Sequence, residues 1–326
     1  MLKIGVLGAG HLGKIHIRLL KEVKEFQLTG FFDPDAIQAA AVSQELEVKA
    51  FDSIHELIRE VDAVDIVTPT LSHFDCAKLA LDHGKHIFIE KPLTNTIEEA
   101  RELMDLVEAS SIKAQVGHVE RFNPAYLAIA DYDIQPKFIE THRLSEFNPR
   151  GTDVSVVLDL MIHDIDIVLS LIKSKVKAIH ASGVPVISET PDIANARVEF
   201  ENGSVVNFTA SRVSLKKMRK MRMFQKNAYI TLDFLTKKAA IFKISELEEG
   251  QSPIGFVIDP GEGKARKQIA YSQPPSPEVN AIKMELEKFA AAIINDEVPV
   301  VTVRDGYNSL KLAHQILEKI NHYSFT

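Results

Sequence analysis

The sequence predicts a doubly wound α/β domain with a parallel sheet, followed by an α+β domain built on an antiparallel sheet. Three observations predict this. Over residues 1–122, short apolar runs alternate with segments whose apolar residues recur at helical spacing. A glycine-rich turn joins the first run to the first helix. From about residue 124, strand-like runs follow one another with short turns between them. The chain of 326 residues, 45% hydrophobic and 25% charged, is long enough for two such domains.

Residues 2–7 read as a short buried strand, and Gly8-Ala9-Gly10-His11-Leu12-Gly13 follows it. Leu12, Ile15, Leu19 and Val23 then mark a helix. In G-x-G-x-x-G between strand and helix, Gly8 allows the tight turn and Gly10 lets a pyrophosphate approach the backbone. Gly13 lets helix and strand pack closely, and the phosphates lie at the helix start, beside His11 and Leu12. A second strand, 26–32, ends in Asp33, twenty positions after Gly13. An acid there accepts hydrogen bonds from both ribose hydroxyls and repels a 2′-phosphate. No Arg or Lys follows closely to offset that repulsion, so NAD is expected over NADP. The plainer reading of Asp33-Pro34-Asp35 is a polar turn.

The alternation continues. Residues 64–67 form a strand ending in Thr68-Pro69, and 71–81 a helix with Phe74, Ala77 and Leu81 on one face. Cys76 sits beside that apolar face and is expected to be inert. Residues 86–89 form the next strand, which ends in Glu90-Lys91-Pro92. Lysine is seldom buried without a partner, and ligands of open α/β sheets bind beyond the carboxyl ends of the strands. Lys91 is therefore expected to point at a ligand. Thr96-Ile97-Glu98-Glu99 is a capping box opening another helix, and 114–117 is the last strand of the domain.

In the second domain, 123–326, strands are expected at 137–143, 175–186, 193–200, 204–213, 222–224, 228–234 and 239–244. Glu201-Asn202-Gly203 signals a hairpin turn. Residues 250–277 are rich in Gly, Pro, Ser and charge and read as loop with a short strand. Helices are expected at 278–294 and 303–320, and these last helices are candidates to pack back on the first domain.

Several separated motifs in the right order resemble one family. Gly8, Gly10 and Gly13, Thr68-Pro69 with His73, Gly84-Lys85-His86 and Glu90-Lys91-Pro92 look like glucose–fructose oxidoreductase, inositol dehydrogenase and their relatives, the Gfo/Idh/MocA family. Gly117-His118-Val119-Glu120-Arg121-Phe122-Asn123-Pro124 looks like that family's crossover into its second domain. Asp159-Leu160-Met161-Ile162-His163-Asp164-Ile165-Asp166 matches its D-x-G-x-H-x-x-D pattern, except that Met161 stands where glycine is usual and adds bulk near the pocket. The resemblance covers nearly the whole chain and is weakest over about 240–300. It implies a Rossmann domain joined to a larger domain with an open, mainly antiparallel sheet, whose exposed side is a surface for homodimers and homotetramers. It also implies cofactor contacts from Thr68, Pro69, His73, Glu90, Lys91 and His118.

Asp159, His163 and Asp166 lie at i, i+4 and i+7 in a stretch that is apolar apart from them, Asp164 and Ser170, on one face of an expected helix over 156–171. The resemblance puts Lys91 and His163 near the nicotinamide and the substrate carbinol, with Asp159 holding the sugar or orienting the base. The chemistry agrees. Oxidising a secondary alcohol requires a hydride acceptor and a proton acceptor, and histidine titrates near neutrality. A lysine cation stabilises the developing alkoxide. Either Lys91 or His163 can be the proton acceptor. The i, i+4 pair also suits a metal ion, but no third ligand is signposted and no metal is expected. Asp166 reads as a structural partner for His163 or Arg121.

For the substrate, Arg212 to Arg222 holds six cations in eleven residues, including Arg212, Lys216 and Lys217. It is either a solvated turn or a site for a diphosphate. Asn148-Pro149-Arg150-Gly151-Thr152-Asp153 precedes the 156–171 helix, and Asn148 and Arg150 there, with Arg121, are candidate sugar or phosphate contacts. The crossover segment and Thr209-Ala210-Ser211-Arg212 look most like the family's UDP-N-acetylglucosamine 3-dehydrogenase branch. The expected function is NAD-dependent oxidation of a sugar hydroxyl, on such a nucleotide sugar. An inositol or free-sugar dehydrogenase is the alternative within the class, and a non-catalytic NAD-binding regulator the alternative outside it.

One cysteine, Cys76, excludes an intramolecular disulfide. The net charge of −7 argues against nucleic-acid binding. A strand beginning at Leu2 and the lack of any long apolar run lead to the expectation of no signal peptide, no membrane segment and a cytoplasmic location.

Overall fold

Two sheets organise the chain. A computed structural model describes residues 1–148, 154–248 and 252–323. The first sheet is wholly parallel, with β1 (Leu2–Leu7), β2 (Phe26–Phe32), β3 (Ala63–Ile66), β4 (His86–Glu90) and β5 (Ala114–Gly117) in the order β2-β1-β3-β4-β5. Helices α1 (His11–Leu20), α2 (Ala36–Leu46), α3 (Ile54–Glu60), α4 (His73–Asp82) and α5 (Ile97–Glu108) connect or flank these strands. Strand order reverses between β1 and β3, which opens a crevice at the carboxyl ends of the strands. The Thr96 capping box forms as expected: Thr96 Oγ1 accepts from the Glu99 amide and Glu99 Oε2 from the Thr96 amide.

The helix expected at 71–81 begins at His73, after a 3-10 turn over Thr70–Ser72. The sequence reading placed no helix at α2 or α3. The first is alanine-rich with little amphipathic contrast, and Asp35 caps it by accepting from the Ile37 and Gln38 amides. The second is only seven residues long, capped by Ser53.

The chain divides into two units. The first holds Met1–Phe122 and Val279–His314, the second Asn123–Glu278 and Gln315–Thr326. Residues 279–314, read from sequence within the second domain, thus cluster with the first. There α8 (Ala281–Ile294) sets Phe289 against Phe26 and Phe88, at ring-centroid distances of 6.0 and 5.9 Å. Complete burial of such a side chain contributes about 1.5–3 kcal/mol. The Val116 amide also donates to the Val301 carbonyl at 3.0 Å.

Among the described residues the second unit contains α6 (Pro124–Leu127), α7 (Ile162–Leu171) and nine strands: β6 (Phe138–Leu144), β7 (Val176–Val184), β8 (Ile193–Phe200), β9 (Val205–Ser211), β10 (Met218–Gln225), β11 (Ala228–Asp233), β12 (Lys238–Glu246), β13 (Phe256–Ile258) and β14 (Lys267–Ser272). Their order is β13-β14-β12-β11-β10-β6-β9-β8-β7, antiparallel except for the parallel pair β6 and β9. One face buries Ile139, Met223, Ile230 and Ile241. The other carries a cross-strand ladder of Phe138, Phe224, Tyr229, Phe242 and Tyr271, with successive centroids 4.8–5.7 Å apart. The expected continuous helix over 156–171 is instead a π-helical turn, Val157–Met161, running into α7. Helix α9 (Val303–Tyr323) ends the described chain. Among the described residues no helix is long and apolar enough to cross a membrane.

Candidate active site

The carboxyl edge of the parallel sheet collects most of the residues singled out above. Gly8 has φ +93°, and a Cβ there would lie 2.7 Å from the Val67 carbonyl oxygen. A Cβ on Gly13 would overlap the Gly8 carbonyl oxygen, so both positions require glycine. Gly10 differs: a Cβ there would meet no protein atom within 4 Å. The turn thus leaves open space in front of α1, whose amino terminus has no side-chain cap. That cradle fits a pyrophosphate held by backbone amides. His11 is exposed, Leu12 half-buried. Asp33 Oδ2 accepts from the Ala9 amide at 2.7 Å and from Gln38 Nε2 at 3.1 Å, while Oδ1 accepts from the Asp35 amide at 3.0 Å. Asp33 therefore braces the glycine turn, and Oδ1 keeps lone-pair capacity for a ribose hydroxyl.

Thr68 and Pro69 follow β3, and Glu90 and Lys91 lie at the end of β4. His73 is buried between two carbonyls, with Nδ1 2.9 Å from the Pro92 oxygen and Nε2 2.9 Å from the Thr68 oxygen. It ties the turn after β3 to the segment after Lys91. Burial lowers its pKa. It sits as a brace between the two carbonyls, its single N–H donating to one of them. Lys91 is half-buried, its amide donating to Glu90 Oε2 at 3.1 Å, and the Lys91–Pro92 peptide is cis. His118, just after β5, is buried. Burial pushes the Cys76 thiol up to about 11, in keeping with an inert side chain.

In the second unit Asp159 lies in the π turn and His163 in the first turn of α7, both half-buried. Single π turns recur at functional sites. Met161, between them, is fully buried, so its extra bulk is taken up in packing. Asp166 is buried, and Asp164 pairs with Arg143, whose Nη2 donates to Asp164 Oδ1 at 2.7 Å. Sequence reading missed that buried pair, whose partners lie 21 residues apart with no local signal.

The expected diphosphate segment is dispersed. Met218–Gln225 is a strand, not a turn. Arg212 is buried, donates to the Val154 carbonyl at 2.7 Å and lies 3.5 Å from Asp192 Oδ1. Lys217, Lys220 and Arg222 pair with Glu146, Asp233 and Glu140. Lys216 and Asn148 are exposed, while Arg150 lies outside the described residues. Arg121 Nη2 lies 3.9 Å from Asp305 Oδ1, within the first unit. Of the segment's six cations, Arg212 is engaged inside the protein by Val154 and Asp192.

Residues 2–118 match the model of an oxidoreductase family with an NAD-binding Rossmann fold, and residues 128–231 match the GFO/IDH/MocA C-terminal domain. The chain belongs to the GFO/IDH/MocA family of oxidoreductases. Within that family it is 40% identical over 243 residues to a UDP-N-acetylglucosamine 3-dehydrogenase from Acidithiobacillus ferrooxidans, covering 74% of this chain and 77% of that protein. A solved structure of a UDP-N-acetylglucosamine 3-dehydrogenase from that organism superposes with a TM-score of 0.88 at 32% identity, over 99% of this chain and 98% of that one. A scyllo-inositol 2-dehydrogenase (NAD(+)) from Bacillus subtilis is 31% identical, over 65% of this chain and 68% of its own.

Proposed function

We propose that this GFO/IDH/MocA enzyme uses NAD to oxidise a secondary hydroxyl of a nucleotide sugar, on the pattern of UDP-N-acetylglucosamine oxidised at its 3-position. The carrying observation is the 40% identity and 0.88 TM-score to UDP-N-acetylglucosamine 3-dehydrogenases. The glycine cradle and Asp33 support the cofactor.

Bound NAD supplies the hydride acceptor. The chain's own residues do the rest. Backbone amides at the start of α1 hold the phosphates, and Asp33 accepts from the ribose and disfavours NADP by charge. His163 takes the hydroxyl proton, Asp159 orients it, and the Lys91 ammonium stabilises the developing alkoxide. The aromatic ladder on the second-unit sheet supports self-association as a homodimer or homotetramer, which a monomeric mass by light scattering would refute.

The deciding experiment is a panel of UDP-sugars, inositols and free sugars, each with NAD and NADP, followed by NADH or NADPH absorbance. UDP-N-acetylglucosamine with NAD is expected to give the highest kcat/KM. The 31% identity to an inositol dehydrogenase favours the second reading, and turnover of inositol without turnover of any UDP-sugar would establish it. The Asp33→Ala variant is expected to bind NAD about tenfold more weakly, through loss of roughly one net hydrogen bond to a charged acceptor, and to discriminate less against NADP. Calorimetric NAD affinity equal to wild type would remove Asp33 from the cofactor site.

A further inference from the structure

We propose that His16, Asp65, Glu90 and Glu285 form a buried proton-holding cluster next to Lys91, in which His16 is an imidazolium between two carboxylates, Glu285 is a neutral carboxylic acid, and Glu90 is clamped as the anchor of the Lys91 backbone. Four elements of the first unit contribute: α1, β3, β4 and α8. His16, Asp65 and Glu285 are completely buried and Glu90 is 7% exposed.

His16 Nδ1 lies 2.9 Å from Asp65 Oδ2, and Nε2 lies 3.2 Å from Glu90 Oε1, as a charge contact more than an aligned hydrogen bond. An ionised carboxylate only accepts, so each ring nitrogen facing one must carry a proton. A neutral ring would turn a lone pair toward one of the two acids. That single imidazolium is already shared by two carboxylates, and the charged groups acting on Glu285 are Glu90, His16 and Asp65. Neither Glu285 oxygen has a hydrogen-bond partner among the described residues. The ligand atoms of His16, Glu90 and Glu285 nevertheless lie within 4.8 Å of one another. A third ionised carboxylate among Phe88, Leu286 and Phe289 would be strongly destabilising, so Glu285 keeps its proton.

The directions at Glu285 and His16 agree with this, while that at Asp65 opposes its ionised form and leaves the 2.9 Å contact with His16 to hold the charge. Burial, then the neighbouring Glu90, push the Glu285 pKa well up. Burial alone would lower that of His16, but Asp65 and Glu90 raise it overall. Burial raises Asp65 despite His16. Glu90 is held from several sides: Oε2 accepts from the Lys91 amide, Oε1 faces His16, and a Cβ on Gly117 would lie 2.8 Å from Oε1. His16 is thereby a positioning residue for Lys91, a role that rests on the reading of Lys91 given above. The protonation of the cluster does not depend on it.

The folded-state pKa of Glu285 exceeds its unfolded value of about 4.3, so its stability contribution is present below that pH and is lost as pH rises toward the folded value. That of His16 is present below about 6.5 and is lost as pH rises through its folded value, with the same sign. Thermal and urea unfolding of the full chain from about pH 5 to about pH 9 is expected to show a wild-type folding constant falling up to tenfold more per pH unit than that of Glu285→Gln. Parallel curves overturn the cluster. So does about one divalent metal per chain by elemental analysis, since a cation would then replace the protons. Should the variant not fold, ring-nitrogen NMR of the wild type is expected to show His16 still as imidazolium above about pH 6.5, where a free ring is mostly neutral, and a neutral ring there overturns the proposal. For positioning, His16→Asn is expected to lower kcat by about a hundredfold with calorimetric NAD affinity unchanged. An undiminished kcat overturns that role while leaving the pH slopes as the test of the cluster.

Discussion

Replacing Lys91 with methionine is expected to lower kcat roughly a thousandfold while leaving NAD affinity within about threefold of wild type. The side chain sits at the carboxyl end of β4, half-buried, on the sheet edge that also carries the glycine cradle. Methionine keeps most of the apolar stem and removes the ammonium with its charge and its three donors, so the loss reports the ammonium's action on an alkoxide more than packing. His163→Asn is expected to cost a similar factor by removing the proton acceptor. The double variant should be little worse than either single one if the two groups act in one step. The chain has no tryptophan, so cofactor affinity is best read by calorimetry. Turnover preserved in Lys91→Met would remove the lysine from the reaction, and preserved only in His163→Asn would make Lys91 the proton acceptor.

The second large effect is a contrast between two glycines three residues apart. Gly13→Ala is expected to lower stability by about 1–3 kcal/mol and to weaken NAD binding by at least about a hundredfold. Its Cβ would overlap the Gly8 carbonyl oxygen, and Gly8 cannot move freely. It is held at φ +93° against Val67, with its amide donating to the Phe32 carbonyl at 2.9 Å. The turn must therefore deform. Gly10→Ala meets no protein atom, so it is expected to unfold at the wild-type temperature and still lose NAD affinity, because the new methyl enters the space a pyrophosphate needs. Equal melting temperatures for wild type and both variants would show that the turn relaxes. Unchanged NAD affinity in Gly10→Ala would move the phosphates elsewhere.

The features legible in advance were those with local causes. The glycine turn, Asp33 twenty residues on and the Thr96 capping box follow from steric limits and hydrogen bonding over a few neighbouring residues. The strands at 193–200 and 228–233 show in the alternation of side chains between faces. Other features had no local cause. The π turn at Val157–Met161 lies in a stretch whose apolar spacing reads as ordinary helix. The acids that pair with the cation run, Glu140, Glu146, Asp192 and Asp233, come from elsewhere in the chain, so nothing local marked them as its partners. His16 and Asp65 stood in an expected helix and strand with nothing to mark them as partners 49 residues apart.

By itself the sequence determined the class of domain, the glycine turn and the family, because steric demands on glycine, strand and helix periods and ordered motifs are properties of short segments. Only the tertiary structure decided which charges are spoken for. It bound Arg212 and Arg143 into the interior, set His73 between two carbonyls, and placed His16 between Asp65 and Glu90 beside an unpaired Glu285. The physical reason is that a buried charge is tolerable only beside its partners. Those partners are brought within a few ångströms by the packing of distant elements, which no spacing along the chain records.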